Sequence, residues 1–158
     1  MIFRTSSGEE LQSAAADFVR TLAPMPSATV VTLSGDLGAG KTTFAQGIAK
    51  ALGVAEAVTS PTFVIEKVYP IRDAPHSNGA GELQSGFKRL IHIDAYRLSG
   101  AQQLEVLKWD ELLKDAGNLI VLEWPEKVAE AIPEWAVALR FDIDGDGRII
   151  NIHDGQKS

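Results

Sequence analysis

The stretch Leu33–Thr43, LSGDLGAGKTT, decides how the rest of the chain is read. Gly35, Gly40, Lys41 and Thr42 fit the G-x-x-x-x-G-K-[ST] spacing of a phosphate-binding loop. From average residue usage, such a match arises by chance on the order of once in several hundred chains of this length. Its flanks agree. ATVVTLSG, Ala28–Gly35, is a β-branched run that reads as a buried strand, and KTTFAQGIAKAL reads as a helix closing near Gly53. A strand, a glycine loop and a helix let the backbone N–H groups of Gly35, Asp36, Leu37, Gly38, Ala39 and Gly40 converge on phosphate oxygens. In such a loop Lys41 reaches the β- and γ-phosphates, the Thr42 hydroxyl ligates Mg²⁺, and Thr43 bonds the α-phosphate. The competing reading, a glycine-rich turn that only caps a helix, is disfavoured by the same rarity.

A magnesium–phosphate site needs carboxylates, and they are useful where buried strands emerge beside the loop. Asp94 follows LIHI and Glu123 follows LIVL. Each acid ends an apolar strand, the Walker-B arrangement, where a carboxylate holds Mg²⁺ directly or through water. A second acid then orients or deprotonates the attacking water. Strand-end acids also cap neighbouring loops, but two of them beside a phosphate loop favour function. Thr62, in TSPTF, has two balanced readings: a switch that folds onto Mg²⁺ and the γ-phosphate, or ordinary turn chemistry. Trp124, next to Glu123, is placed near the nucleotide. No N-K-x-D guanine signature occurs, and AYR follows Asp94 where a D-x-x-G switch needs glycine, so ATP is favoured over GTP.

The totals narrow the setting. A length of 158 residues suggests a single domain, and 45% hydrophobic with 23% charged residues is ordinary for a soluble globular chain. The absence of cysteine excludes disulfides and thiolate metal sites. No basic segment followed by an apolar run opens the chain, and no stretch reaches the roughly 20 apolar residues that span a bilayer. A cytoplasmic protein is expected. The net charge of −6 argues against strong nucleic-acid binding by the chain alone, and the densest basic group is only Phe87–Arg89. Any role on nucleic acid runs through a more basic partner.

The remaining segments supply a frame. GEELQSAAADFVRTLA places Leu11, Ala15, Phe18, Val19 and Leu22 on one helical face, with Ser6 or Ser7 and Glu9 or Glu10 set for a capping box. Strands are expected over Thr62–Tyr69, Leu90–Asp94 and Leu119–Glu123. GAQQLEVLKWDELLKDAG reads as two short helices breaking near Trp109, and PEKVAEAIP as one short helix with Pro125 in its first turn. The last part forms a hairpin around a Gly-Asp-Gly turn. That turn, in DIDGDG from Asp142, matches half a calcium loop, but His153 stands at the twelfth position. His76, His92 and His153 are too scattered for a metal site, and Trp109 and Trp135 read as packing residues. Ile71–Lys88 collects Gly, Pro, Ser and Asn and reads as a long mobile insertion loop. Alternating strands and helices predict a three-layer α/β fold of the P-loop NTPase type, with a mostly parallel sheet and an antiparallel C-terminal hairpin at one side.

GDLGAGKTT, TSPTF, HIDAYRL and LEWPE, in that order, resemble the TsaE (YjeE) family, the small bacterial ATPases of tRNA threonylcarbamoyladenosine biosynthesis. The similarity runs from Ala28 to about Glu126 and is carried by the combination, since the glycine loop alone is generic. The resemblance implies an ATPase that works with two partner proteins, of TsaB and TsaD type. Those partners transfer a threonylcarbamoyl group to the adenosine following the anticodon, and ATP hydrolysis resets them. It further implies that Lys41 and Thr42 bind phosphate and Mg²⁺, that Asp94 and Glu123 serve the metal and hydrolysis, and that Thr62 lies in a switch-like loop with Trp124 near the site. The insertion at Arg72–Lys88 is longer than the family's usual connection. A small-molecule kinase is the main alternative; it needs an arginine-bearing lid, and Ile71–Lys88 offers Arg72 and Lys88 among mostly small residues. A nucleotide-operated binding module with negligible hydrolysis is the third reading.

Overall fold

Strand β2 (Thr29–Ser34) is buried from Thr29 to Leu33, as a strand covered on both faces must be. The structure, a computed structural model, describes residues 1–54, 65–71 and 86–154. Within them a seven-stranded sheet runs β1-β7-β6-β2-β5-β4-β3. Its members are β1 (Ile2–Thr5), β3 (Glu66–Pro70), β4 (Arg89–Asp94), β5 (Asn118–Glu123), β6 (Val137–Asp144) and β7 (Gly147–Asp154) around β2.

The β6-β2-β5-β4 centre is parallel, whereas β3 pairs antiparallel with β4, β7 with β6, and β1 with β7. The sheet is therefore parallel only in its middle, and the expected antiparallel side at the hairpin has a counterpart at the other edge. Strand β1 was not foreseen. Four residues are too short to show a period, and β1 gains its hydrogen bonds from β7, far away in sequence.

Helix α1 (Gly8–Val19) starts at Ser7, whose side chain accepts from the Glu10 N–H at 3.1 Å. Glu10 returns its carboxylate to the Ser6 N–H at 2.5 Å, so the capping box closes one residue further out than its usual form. The Ser6 N–H, with the Ser6 hydroxyl donating to the same oxygen at 2.9 Å, holds the Glu10 carboxyl below the ordinary carboxylate value. The buried face, Leu11, Ala14, Ala15, Phe18 and Val19, packs with α2 (Lys41–Ala51) on one side of the sheet. Phe44 of α2 meets Phe18 at 5.9 Å and stands edge-on to Phe141 of β6 at 5.3 Å between ring centres.

On the other side, Leu104, Trp109 and Val128 cover Val30, Ile91, Ile93, Ile120 and Leu122. They come from a 3-10 segment (Ala101–Leu107), helix α3 (Trp109–Lys114) and a kinked 3-10 segment (Pro125–Ala131). Lys108, at φ 56°, makes the expected break before Trp109. Trp109 is buried and donates its indole N–H to Ala131 O, a packing role. The hairpin turn is Gly145-Asp146, with Gly145 at φ 60°, the conformation that favours glycine at the first turn position.

Helices α1 and α2 touch at Gly47. A Cβ there would lie 2.8 Å from Ala15 Cβ and 2.8 Å from Gln12 Cα. Gly47→Ala adds helix propensity of about 1 kcal/mol, but the Gln12 backbone cannot rotate aside and overpacking costs about 1–3 kcal/mol. We expect a net loss of up to about 2 kcal/mol, read as a lower urea midpoint. A midpoint at or above wild type would mean that α1 yields freely.

The Ile71–Lys88 segment is partly fixed. Ile71 N–H donates to Lys88 O at 2.9 Å, Lys88 N–H donates to Gly117 O at 2.8 Å, and Phe87 is buried in the α1/α2-side core. The buried Phe87 and these bonds hold the described ends of this stretch; residues 72–85, where most of the expected insertion falls, lie outside the described residues.

Candidate functional site

The sheet register builds the site. Leu33 of β2 pairs with Glu123 of β5, and Glu123 pairs with Asp94 of β4. These positions form one row at the C-terminal ends of adjacent parallel strands, where open α/β sheets form their crevice. Glycine positions shape the loop above the row. Gly35, Gly38 and Gly40 adopt φ of 140°, 80° and 103°, a region costly for side-chain-bearing residues.

Gly40 is the N-cap of α2, with no side-chain cap and no acidic residue in the first turn. The positive end of that helix therefore faces the loop without an acid of its own to neutralise it. A cleft of about 250 Å³ is lined by Leu37, Gly38, Gly40, Lys41, Thr42, Thr43, Asp94, Glu123 and Trp124. All nine were singled out in the sequence. Gly35 and Asp36 line an adjoining hollow of about 310 Å³ that shares Trp124, and Ala39 is buried beneath the loop. A wider groove of about 650 Å³, between the first 3-10 segment and α3, contains none of these residues.

Lys41 is the buried cation of the cleft. Its ammonium donates to Gly35 O and, at 3.0 Å, to Asp36 O, and lies 4.0 Å from the centre of the Trp124 ring. Burial lowers its pKa from the ordinary lysine value, opposed by Glu123 first and then by Glu126, Asp94 and Asp36. Thr42 Oγ1 donates to Glu123 Oε1 at 3.4 Å. Glu123 Oε2 lies 2.6 Å from His92 Nε2, with both side chains buried. The Tyr96 N–H donates to Asp94 Oδ1 at 3.0 Å, orienting that carboxylate. On the edge strand β3, opposite Ile93, burial raises the Glu66 carboxyl above its ordinary pKa.

Trp124 takes φ 62°, ψ 54°, left-handed backbone that costs a non-glycine residue about 1–3 kcal/mol. Its N–H donates to Leu33 O at 3.1 Å, tying the end of β5 to the end of β2. The indole also packs on Tyr96, 5.0 Å between ring centres. This strained turn sets the ring over Lys41, beside the acids.

Thr42, Asp94 and Glu123 offer hard oxygen donors in one cleft, the ligand chemistry that suits Mg²⁺. No group of three or more His, Asp or Glu among the described residues could hold a metal ion. A cation held by Thr42, Asp94 and Glu123 would need further oxygens from elsewhere, as a bound phosphate would supply. Thr62 lies outside the described residues. In sequence His92 reads as one of three scattered histidines. Its position two residues before Asp94, on the same strand face, was the available signal.

Comparison with known proteins shows the family. Residues 5–150 match the family model described as "Threonylcarbamoyl adenosine biosynthesis protein TsaE".

The chain belongs to the TsaE family.

Among its TsaE relatives is a Streptomyces coelicolor protein named tRNA threonylcarbamoyladenosine biosynthesis protein TsaE. It is 45% identical over 115 residues, covering 72% of this chain and 68% of that protein. The Borreliella burgdorferi protein of the same name is 34% identical, covering 82% of this chain and 85% of its own. A crystal structure of Bacillus subtilis YdiB superposes with a TM-score of 0.71 at 30% identity, over 98% of this chain and 84% of that one. No helix among the described residues is long and apolar enough to cross a membrane.

Proposed function

We propose that the chain binds and hydrolyses Mg-ATP and so supports a threonylcarbamoyl transferase complex that modifies the adenosine following the anticodon in tRNA. The observation that carries this reading is the meeting of Lys41, Thr42, Asp94 and Glu123 in one cleft beside a left-handed glycine loop. The tRNA threonylcarbamoyladenosine assignment follows the names of its relatives.

In this reading the loop N–H groups and the α2 terminus hold the phosphates, with Lys41 placed against the β- and γ-groups. Thr42, with Asp94 and Glu123, would hold Mg²⁺, which would supply positive charge to the phosphate groups. The two acids would orient and deprotonate the attacking water between them. Thr62 is assigned to a switch that follows the γ-phosphate. Trp124 shields Lys41 and the adjoining phosphates from solvent. A net charge of −6 makes direct tRNA binding unfavourable, so tRNA is met through the two partners, of TsaB and TsaD type, in the cytoplasm.

The test is ATP hydrolysis by the chain alone and with both partners, with Lys41→Ala as control. Partner-dependent stimulation is expected, and Lys41→Ala should weaken nucleotide binding by about a hundredfold and abolish the stimulation. Release of ADP only when a small acceptor is added would instead identify a kinase.

A further inference from the structure

Leu90, His92 and Asp94 follow one another on one face of β4, the face covered by α1 and α2. His92 is 1% exposed, and its Nε2 lies 2.6 Å from Oε2 of Glu123, itself 3% exposed. Against an ionised carboxylate, which can only accept, the ring would bond Oε2 by donating from Nε2. Its other nitrogen, Nδ1, is buried and has no hydrogen-bond partner among the described residues. A histidine retained for packing alone gains nothing from an orphaned ring nitrogen, since an apolar side chain would fill the space without that cost. In the described residues, the ring's hydrogen bonding goes to one carboxylate oxygen. The other oxygen, Oε1, accepts from Thr42 at 3.4 Å.

We propose that His92 is a positioning residue for the reaction: it pins Oε2 of Glu123 so that Oε1 is presented to Thr42 and the cleft. The need is physical. The last torsion of a glutamate is broad, so an unpinned carboxylate samples orientations in which neither oxygen points at its target. A misplacement near 1 Å costs about a hundredfold in rate. Register alone cannot remove this freedom, because it fixes the Glu123 Cα beside Asp94 but not the carboxylate three bonds out. The inference rests on the cleft being the ATP hydrolysis site.

Two variants test it in the full chain with its partners. His92→Leu removes the donor while keeping bulk, and His92→Gln keeps an N–H of comparable reach. For His92→Leu the expected result is a kcat lower by about tenfold to a hundredfold, with KM within about twofold of wild type. His92→Gln should recover most of that loss. Wild-type kcat in His92→Leu overturns the proposal, as does a kcat in His92→Gln as low as in His92→Leu.

A second readout is independent of turnover. Nitrogen-edited NMR of the imidazole should show the Nε2–H tautomer with a proton far downfield, lost in Glu123→Ala. An Nδ1–H tautomer in the wild-type chain overturns the proposal. Running Lys41→Ala in the same assay separates two failures. Wild-type turnover in Lys41→Ala defeats the hydrolysis reading and this role with it. Loss in Lys41→Ala with full turnover in His92→Leu defeats the role of His92 alone.

Discussion

Glu123→Ala is expected to bind ATP within a few-fold of wild type yet hydrolyse it about a thousandfold more slowly, alone and with partners. The site predicts this split. In the proposed mechanism nucleotide binding rests on the glycine loop, Lys41 and the α2 terminus, and the Lys41 ammonium is held by Gly35 O and Asp36 O, not by the Glu123 side chain. Hydrolysis in that mechanism would depend on the Glu123 carboxylate, which lies beside Asp94 with one oxygen on Thr42 and the other on His92. Removing it also deletes the leading carboxylate that supports the Lys41 charge, so a modest loss of affinity accompanies the rate effect. Mass spectrometry of tRNA nucleosides gives the functional readout, with threonylcarbamoyladenosine expected to fall to background. Normal modification by Glu123→Ala would remove Glu123 from the mechanism and favour a binding module that operates without hydrolysis.

Gly35→Ala is expected to be the most damaging single methyl addition in the loop. Its Cβ would lie 2.5 Å from Phe141 O and 3.0 Å from Phe141 Cβ, at a φ of 140° that side-chain-bearing residues rarely adopt. The obstacle is the backbone of β6, which is hydrogen-bonded to β2 through the Ser34–Arg140 pair. Relief therefore requires parting the strands or rebuilding the loop. Strain and overpacking together should cost about 3 kcal/mol or more, with ATP affinity falling by at least about a hundredfold. Gly38→Ala is the control: φ is 80°, but no atom stands within 4 Å of the added carbon, so only the backbone strain remains. Thermal melts and nucleotide titrations of both variants would show the ranking. Equal effects would mean that conformation alone, and not the approach of β6, makes Gly35 necessary.

Much of the site was legible in the chain because its chemistry is local. The spacing of Gly35, Gly40, Lys41 and Thr42 specifies a loop geometry within a few residues, and the flanking strand and helix appear where the pattern puts them. The break before Trp109 and the hairpin at Gly145 are local as well, each made by one residue at positive φ. Other features gave no such signal. Nothing near Trp124 announces its left-handed backbone, which is held by an N–H bond to Leu33 in a different strand. Phe87 looked like part of a floppy insertion because neighbouring composition says nothing of the core pocket that receives it.

The sequence by itself determined the glycine loop, the amphipathic face of α1, and the placing of an acid at the end of each of two apolar strands. All of these are written in spacings shorter than a helix or strand. Tertiary structure alone decided that β2, β5 and β4 lie side by side in a register that sets Leu33, Glu123 and Asp94 in one row. It also added β1, set the expected strand β3 antiparallel to β4 at the other edge, and brought His92 against Glu123. Strand pairing joins residues distant in the chain, and a one-residue slip would turn each acid to the opposite face. Which carboxylate meets which partner is therefore fixed only when the sheet closes.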